Sequence, residues 1–117
     1  MSRINVVLVM TDQQRADLRA AEGYALDTLP FLDALARSGA YFDRAYTPMP
    51  ICGPARVSML TGRWPSAARV RSNHNIPDAL FTEDMFGFFR RLGYKTALIG
   101  KNHSHLKSTD ADVWHEY

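Results

Sequence analysis

The sequence of 117 residues contains one cysteine, three lysines and no long hydrophobic run. A single cysteine excludes an internal disulfide and a zinc site built from several thiolates. The longest early apolar run, residues 6–10, is too short to span a membrane or to form the core of a signal peptide. We therefore expect a cytoplasmic protein without a membrane partner.

The chain also lacks a large excess of charge of either sign, because 14 basic and 12 acidic residues leave a net charge of +2. No basic run with interleaved aromatic residues occurs, so nucleic acid is not an expected partner. Arg56, Arg63, Arg69 and Arg71 lie close together in sequence and are able to attract a small anion. For Arg69 and Arg71, a position on the solvated surface without any ligand is an equally good interpretation.

The hydrophobic pattern predicts three strands. Residues 4–10 form a nearly continuous run rich in β-branched side chains, which is typical of a strand buried on both faces. Residues 40–47 and 94–99 are the second and third extended segments. From residue 104 onward the polar tail is assigned no element.

Helices are predicted between these strands. One begins near Asp27, Thr28 and Pro30 and ends at Gly39, a second covers residues 54–61, and a third is capped by Thr82 and ends at Gly93. The third helix is expected to bury Met85, Phe88, Phe89 and Leu92. Alternation of strands and helices indicates an α/β fold, with a parallel or mixed sheet and flanking helices.

Polar residues follow the ends of all three predicted strands. In a parallel sheet, ligands bind beyond the carboxyl ends of the strands, so Asp12, the Cys52 loop, Lys101 and His103 are expected to meet at one edge. Cys52 directly precedes a predicted helix, whose N-terminus favours an anion. Arg56 follows four residues later, an arrangement that suits attack on an oxyanion ester. From these residues alone, a reactive cysteine and a buried structural one both remain open.

The spacing between Cys52 and Arg56 excludes one class of enzyme, and the residues around them resemble the signature of another. Cysteine phosphatases need five residues between cysteine and arginine, whereas three separate Cys52 from Arg56. The string CGPAR at 52–56 with MLTGR at 59–63 instead resembles the formylglycine signature of the sulfatase family. The string GYKTALIGK at 93–101, followed by His103, resembles the second signature of that family, and Asp12 after the opening strand resembles its first metal-ligand motif.

The resemblance implies the N-terminal part of an alkaline-phosphatase-like fold and a hydrolase of sulfuric esters. Cys52 would be oxidised to formylglycine by a maturation enzyme, and the hydrated aldehyde would attack sulfur. Arg56 would stabilise the nucleophile, while Lys101 and His103 would contact the sulfate and His103 would transfer a proton. Asp12 and one oxygen on residue 52 would bind a divalent cation, usually Ca²⁺. The substrate would be a small molecule or glycan that carries a sulfate ester.

Several positions depart from the family pattern or allow a second interpretation. Gln13 stands where many relatives have a second aspartate, and its amide oxygen is also able to bind a cation. Asn102 replaces a common aromatic residue, which leaves His103 or His105 as the functional histidine, and spacing favours His103. These two histidines also form an H-x-H pair, a possible zinc ligand set. Asn73 is a candidate for binding substrate oxygens or a simple turn residue.

The length of the chain shapes the expected function. Sulfatases are usually several times longer than 117 residues, and their remaining metal ligands lie beyond the segment that these motifs cover. We therefore expect residues 1–117 to be the N-terminal part of an incomplete catalytic domain. The alternatives are a phosphonate or phosphate-diester hydrolase of the same superfamily, or a fragment without catalytic activity.

Overall fold

The chain divides into two units in the computed structural model, which describes residues 4–117. The first unit ends at Ala45, and the second comprises Tyr46–Tyr117. Each unit has its own helices, and the residues of the two sulfatase-like signatures all belong to the second.

The first unit is built around helix α1, Pro30–Ser38. Proline occupies its first turn and Gly39 follows its end, as the sequence predicts. Thr28 does not cap the helix as expected, because its hydroxyl donates to the carbonyl of Leu18 instead. Two short 3₁₀ turns, Ala16–Leu18 and Ala20–Glu22, precede α1.

A buried ion pair joins α1 to the turn before it. The Asp33 carboxylate, 5% exposed, accepts a hydrogen bond from Arg19 Nε at 2.8 Å and one from the Ala21 amide at 3.2 Å. The Arg19 guanidinium holds the pKa of Asp33 below its usual value, since it stabilises the charged form of the carboxyl. Breaking one side of this pair would therefore leave a buried charge uncompensated.

The predicted strands at residues 4–10 and 40–47 are not strands in this structure. Ile4, Val7 and Val9 are 80%, 83% and 81% exposed. An apolar β-branched run forms a strand only when a neighbouring strand accepts its hydrogen bonds, and no described residue pairs with either segment. Both predictions were therefore wrong at the level of the element.

The core of the second unit forms under helix α2, Cys52–Thr61, which begins two residues earlier than predicted. Its Val57 is fully buried against Ala68, Val70 and Ile76. Ile76 belongs to the 3₁₀ segment Asn73–Asp78, which packs along α2. This packing fixes the N-terminal end of α2 relative to the segment that follows it.

Helix α3 spans Met85–Arg91, and its N-cap is Asp84 rather than the predicted Thr82. Asp84 Oδ1 accepts a hydrogen bond from the Gly87 amide at 2.8 Å, which is the usual N-cap interaction. The expected buried stripe of α3 is wrong in this unit, because Phe88 and Leu92 are 42% and 43% exposed and no residue of α3 is fully buried.

The sheet among the described residues has two parallel strands, β1, Ala97–Ile99, and β2, Val113–His115. The register pairs Leu98 with Trp114. β1 confirms the third predicted strand in its last three residues, whereas β2 lies in the tail that was assigned no element. A parallel sheet with helices confirms the α/β class. In residues 4–117 no helix combines the length and apolar character needed to cross a bilayer.

Candidate active site

Cys52 is the first residue of α2, and the backbone changes at this point from extended to helical. Ile51 before it is extended, with φ −132° and ψ 134°, and the Ala55 amide donates to its carbonyl at 2.9 Å. Cys52 is a free, half-buried cysteine at the end of the helix that carries partial positive charge. This position suits a nucleophile that must develop negative charge.

Gly53 allows the chain to pass very close to its neighbours at the start of α2. A Cβ at this position would lie 2.5 Å from Cδ1 and 2.8 Å from Cγ1 of Ile76, and 2.9 Å from Oδ1 of Asn73. The Gly53 amide donates to that same Asn73 oxygen at 2.9 Å. The absence of a side chain at Gly53 therefore permits a hydrogen bond that fixes the residue next to Cys52.

Asn73 was predicted as a substrate ligand or a turn residue. The structure places it beside Cys52, where its Oδ1 accepts from the helix and satisfies one of the amides that a helix N-terminus leaves without an intrahelical partner. Asn73 thus shapes the end of α2, and contact with substrate stays a prediction.

Arg56 lies one turn beyond Cys52 and is only 8% exposed. Its Nη1 donates to the main-chain carbonyl of Lys101 at 2.9 Å. This bond joins the two signature strings directly, because it links α2 to the segment that follows β1. A buried guanidinium held in this way is a fixed positive charge near the N-terminus of α2.

Lys101 brings a second positive charge to the same place. Its Nζ lies 4.0 Å from Cys52 Sγ. Gly100 before it has φ +101°, a conformation that favours glycine, and donates its amide to the His115 carbonyl of β2 at 2.8 Å. The chain therefore leaves β1 through a sharp turn that directs Lys101 towards Cys52. Lys101 and Cys52 thus lie close together as predicted, whereas the predicted convergence of Asp12 and His103 on the same site stays a prediction.

The structure distinguishes the two candidate histidines. The side chain of His105 is 5% exposed, its Nε2 lies 2.9 Å from Asp84 Oδ2, and its ring centroid lies 4.3 Å from that of Phe81. His103 is half-buried and adopts a left-handed backbone with φ +41°. Because His105 is engaged by Asp84, the H-x-H pair does not present two imidazoles to a zinc ion. His103 remains the candidate for proton transfer.

The environment of Asn102 explains its departure from the family pattern. Asn102 is buried, donates from Nδ2 to the Leu106 carbonyl at 2.9 Å and accepts from Ser104 Oγ at 2.6 Å. A polar side chain at this position therefore organises the segment that carries Lys101 and His103. Sequence reasoning missed this network, although the paired small polar residues at 102 and 104 are compatible with a structured loop.

Two of the three predicted metal ligands, Asp12 and Gln13, belong to the first unit, whereas Cys52 belongs to the second. Asp12 and Gln13 are both exposed, and Gln13 has φ +48°. Their oxygen atoms are of the type that Ca²⁺ prefers, yet a calcium ion takes six to eight oxygen ligands. Within residues 4–117, no group of three or more His, Cys, Asp or Glu residues is arranged to hold a metal ion. These residues alone therefore do not fit a complete calcium site, and the metal role of Asp12, Gln13 and Cys52 stays a prediction.

Comparisons with known proteins agree with the two signatures. A choline-sulfatase of Rhizobium meliloti is 36% identical over 104 residues, which are 85% of this chain and 19% of the relative. An arylsulfatase of Clostridium perfringens is 36% identical over 100 residues, 85% of this chain and 21% of the relative. A multifunctional alkaline phosphatase superfamily protein of Trinickia caryophylli is 41% identical over 106 residues, 86% of this chain and 20% of the relative.

The chain thus spans about a fifth of the length of these curated relatives. No solved structure matches it significantly. The family model described as Sulfatase matches residues 4–114, which include Cys52, Arg56 and Lys101. With nearly every residue covered by that match, the chain belongs to the sulfatase family.

Proposed function

We propose that the whole protein hydrolyses sulfuric esters and that residue 52, as formylglycine, is its nucleophile. The observation that carries this proposal is the position of Lys101, from the second signature, beside Cys52, in a segment held by Arg56 of the first signature. Lys101 Nζ lies 4.0 Å from Cys52 Sγ, and Arg56 is bonded to the main chain of Lys101. Fixed cations around a nucleophile stabilise the charge that develops on the oxygens of a transferred sulfuryl group.

The modified residue would supply chemistry that neither cysteine nor serine provides. A hydrated formylglycine would carry two hydroxyls on one carbon, one to attack sulfur and a second to help release sulfate afterwards. A serine at this position would instead be left as a stable sulfate ester. We accordingly include a formylglycine-generating maturation enzyme among the proposed partners.

The residues around position 52 take distinct roles in this proposal. Lys101 binds the sulfate oxygens as a point charge, and Arg56, bonded to the Lys101 carbonyl, stabilises the nucleophile. Asn73 holds the Gly53 amide and so fixes the direction from which residue 52 approaches sulfur. His103 exchanges a proton with the leaving alcohol.

A divalent cation, Ca²⁺ by analogy with the family, would act as a Lewis acid on the sulfate. We propose Asp12 and Gln13 as part of its ligand set, together with an oxygen of residue 52. Further oxygen ligands are needed to complete this set, because Ca²⁺ takes six to eight of them.

A phosphonate or phosphate-diester hydrolase is the second candidate function. It is favoured by the relative of Trinickia caryophylli, whose name describes a multifunctional member of the alkaline phosphatase superfamily. Lys101 and Arg56 are able to attract either class of oxyanion, because sulfate and phosphate esters share tetrahedral geometry and negative charge. The distinction depends on the relative kcat/KM for an aryl sulfate, a phosphonate monoester and a phosphate diester. We expect the aryl sulfate to be preferred.

The proposal is tested on the whole protein, produced in cells that contain the maturation enzyme. We expect turnover of an aryl sulfate and a peptide mass that shows sulfur lost and oxygen gained at residue 52. Cys52→Ala should abolish turnover, whereas Cys52→Ser should accumulate one sulfate on the protein per molecule. An unmodified thiol in cells that mature other sulfatases, with no turnover, would contradict the proposal. A small molecule or a glycan sulfate ester is the natural substrate that we propose.

A further inference from the structure

The segment 101–106 carries both Lys101 and His103, and its residues alternate in burial. Asn102, Ser104 and Leu106 are buried, whereas Lys101 is exposed and His103 is half-buried. The segment thus has an inner row of side chains that pack and an outer row that includes the proposed substrate contacts.

Three hydrogen bonds close the inner row around His103. Asn102 Nδ2 donates to the Leu106 carbonyl at 2.9 Å, Ser104 Oγ donates to Asn102 Oδ1 at 2.6 Å, and the Leu106 amide donates to Ser104 Oγ at 3.2 Å. A left-handed backbone is unfavourable for a residue other than glycine, so His103 needs such bonds to keep its φ of +41°.

The segment is attached to helices at two points. Near its start, Arg56 of α2 donates to the Lys101 carbonyl at 2.9 Å. Near its end, His105 lies 2.9 Å from Asp84, the N-cap of α3. Asp84 is itself fixed, because its second carboxylate oxygen accepts from the Gly87 amide at 2.8 Å.

The pair of His105 and Asp84 is almost entirely buried, with side chains 5% and 11% exposed. His105 Nδ1 is buried and has no partner among the described residues. A ring proton on Nδ1 would therefore be unsatisfied, which places the proton on Nε2, where it donates to Asp84. The ring also packs against Phe81 at 4.3 Å, so its orientation is fixed from two sides.

We propose that His105 is a positioning residue for the reaction. Bound to Asp84, it anchors the end of segment 101–106 and thereby keeps Lys101 and His103 in place against residue 52. It touches neither substrate nor nucleophile in this role. The inference rests on the proposed function, since it concerns the residues to which that function assigns sulfate binding.

The kinetic test uses the whole, matured protein and an aryl sulfate. His105→Leu should lower kcat/KM on the order of 10- to 100-fold, as expected when a catalytic group is displaced by about 1 Å. His105→Gln should restore most of the activity, because its amide nitrogen is able to donate to Asp84 as Nε2 does. His74→Gln, at an exposed histidine of the 3₁₀ segment Asn73–Asp78, is the matched control and should leave kcat/KM unchanged.

A double variant separates positioning from general destabilisation. If His105 acts through Lys101, then His105→Leu costs much less in a Lys101→Ala background than in the native one. An equal factor in the two backgrounds would overturn the inference. Should Lys101→Ala and Cys52→Ala both leave hydrolysis unaffected, the proposed function fails instead.

Amide hydrogen exchange on the whole protein provides a readout independent of activity. His105→Leu should reduce protection of the Leu106 amide and leave that of the Ala55 amide in α2 unchanged. Asp84→Asn should reproduce this loss, since it still caps Gly87 but presents a second donor to His105. Unchanged protection at Leu106, or loss at Ala55 as well, would overturn the inference.

Discussion

Replacement of Gly53 by alanine tests the close packing at the start of α2. The new Cβ would meet Ile76 Cδ1 at 2.5 Å and Cγ1 at 2.8 Å, both shorter than any normal carbon–carbon contact. Ile76 is 9% exposed and packs against Val57 and Val70, so it has little room to move away. Overpacking of this kind typically costs about 1–3 kcal/mol.

The matched control is Gly87→Ala in α3. A Cβ there would have its nearest contacts at 3.5 Å from Asp84 Oδ1 and 3.8 Å from Glu83 Cγ, both ordinary distances. Alanine is favoured over glycine in a helix by roughly 1 kcal/mol, a gain that to first order applies to both helices. The difference between the two variants therefore isolates the overpacking cost, about 1–3 kcal/mol in favour of Gly87→Ala.

The assay is urea unfolding of the 117-residue chain. The free energy of unfolding is compared between variants that share the same m-value, which is the slope of that free energy against urea concentration. In the whole protein, Gly53→Ala should also lower kcat/KM, because Asn73 and residue 52 must move to accommodate the methyl group. If Gly53→Ala unfolds at the same urea concentration as Gly87→Ala, then Ile76 yields without cost and the argument for close packing is refuted.

Three further predictions concern the charge of Lys101, the completeness of the calcium site and the ion pair of Arg19 with Asp33. In the whole protein, Lys101→Ala should lower kcat/KM for an aryl sulfate by roughly 10²- to 10³-fold, while Lys107→Ala, at an exposed lysine, should not; equal values would mean that Lys101 is a surface residue. The 117-residue chain alone should bind Ca²⁺ weakly in calorimetry and show no turnover even with residue 52 converted, since Asp12 and Gln13 supply too few ligands; tight binding would contradict this. Arg19 lowers the pKa of Asp33, so the pair stabilises the fold above the unfolded pKa, near 4, and this contribution is lost as pH falls through the lower folded value. Asp33→Asn should therefore unfold at lower urea concentration at pH 7 and lose less stability on acidification than the native chain, and parallel pH profiles would argue against the ion pair.

The site was predictable where its signals are local. A cysteine before a helix start and a lysine after a strand are features of short stretches, and α2 and β1 confirm both. Lys101 Nζ lies 4.0 Å from Cys52 Sγ, so the expected proximity is correct, although the carboxyl-edge rule derived it from three strands of which only the last forms among the described residues. The contacts of Gly53 with Asn73 and of Asp84 with His105 were not predictable, because each joins residues about twenty positions apart through tertiary packing.

The strands show a different limit of sequence reasoning. Residues 4–10 have the composition of a buried strand. Composition indicates only that a segment favours burial, whereas a strand also needs a neighbouring strand with which to form hydrogen bonds. Conversely, β2 forms although Val113–His115 is too short for a period-two pattern to stand out. It exists because β1 offers a parallel partner, with Leu98 opposite Trp114.

The parallel pairing of β1 and β2 has a consequence for how the site tolerates change in length. Residues 100–112 form the crossover between the two strands, and both its ends are fixed, by Gly100 to His115 at one end and by Thr96 to Asp112 at the other. Inserting a few residues into such a closed loop costs little conformational entropy, less than about 1 kcal/mol even for a doubling of its length. The same insertion before Asn102 would change the reach of Lys101. Added length is therefore tolerated best beyond Asp110, whereas between Gly100 and Leu106 the length is constrained by the reach of Lys101 and by the buried hydrogen bonds of Asn102, Ser104 and Leu106.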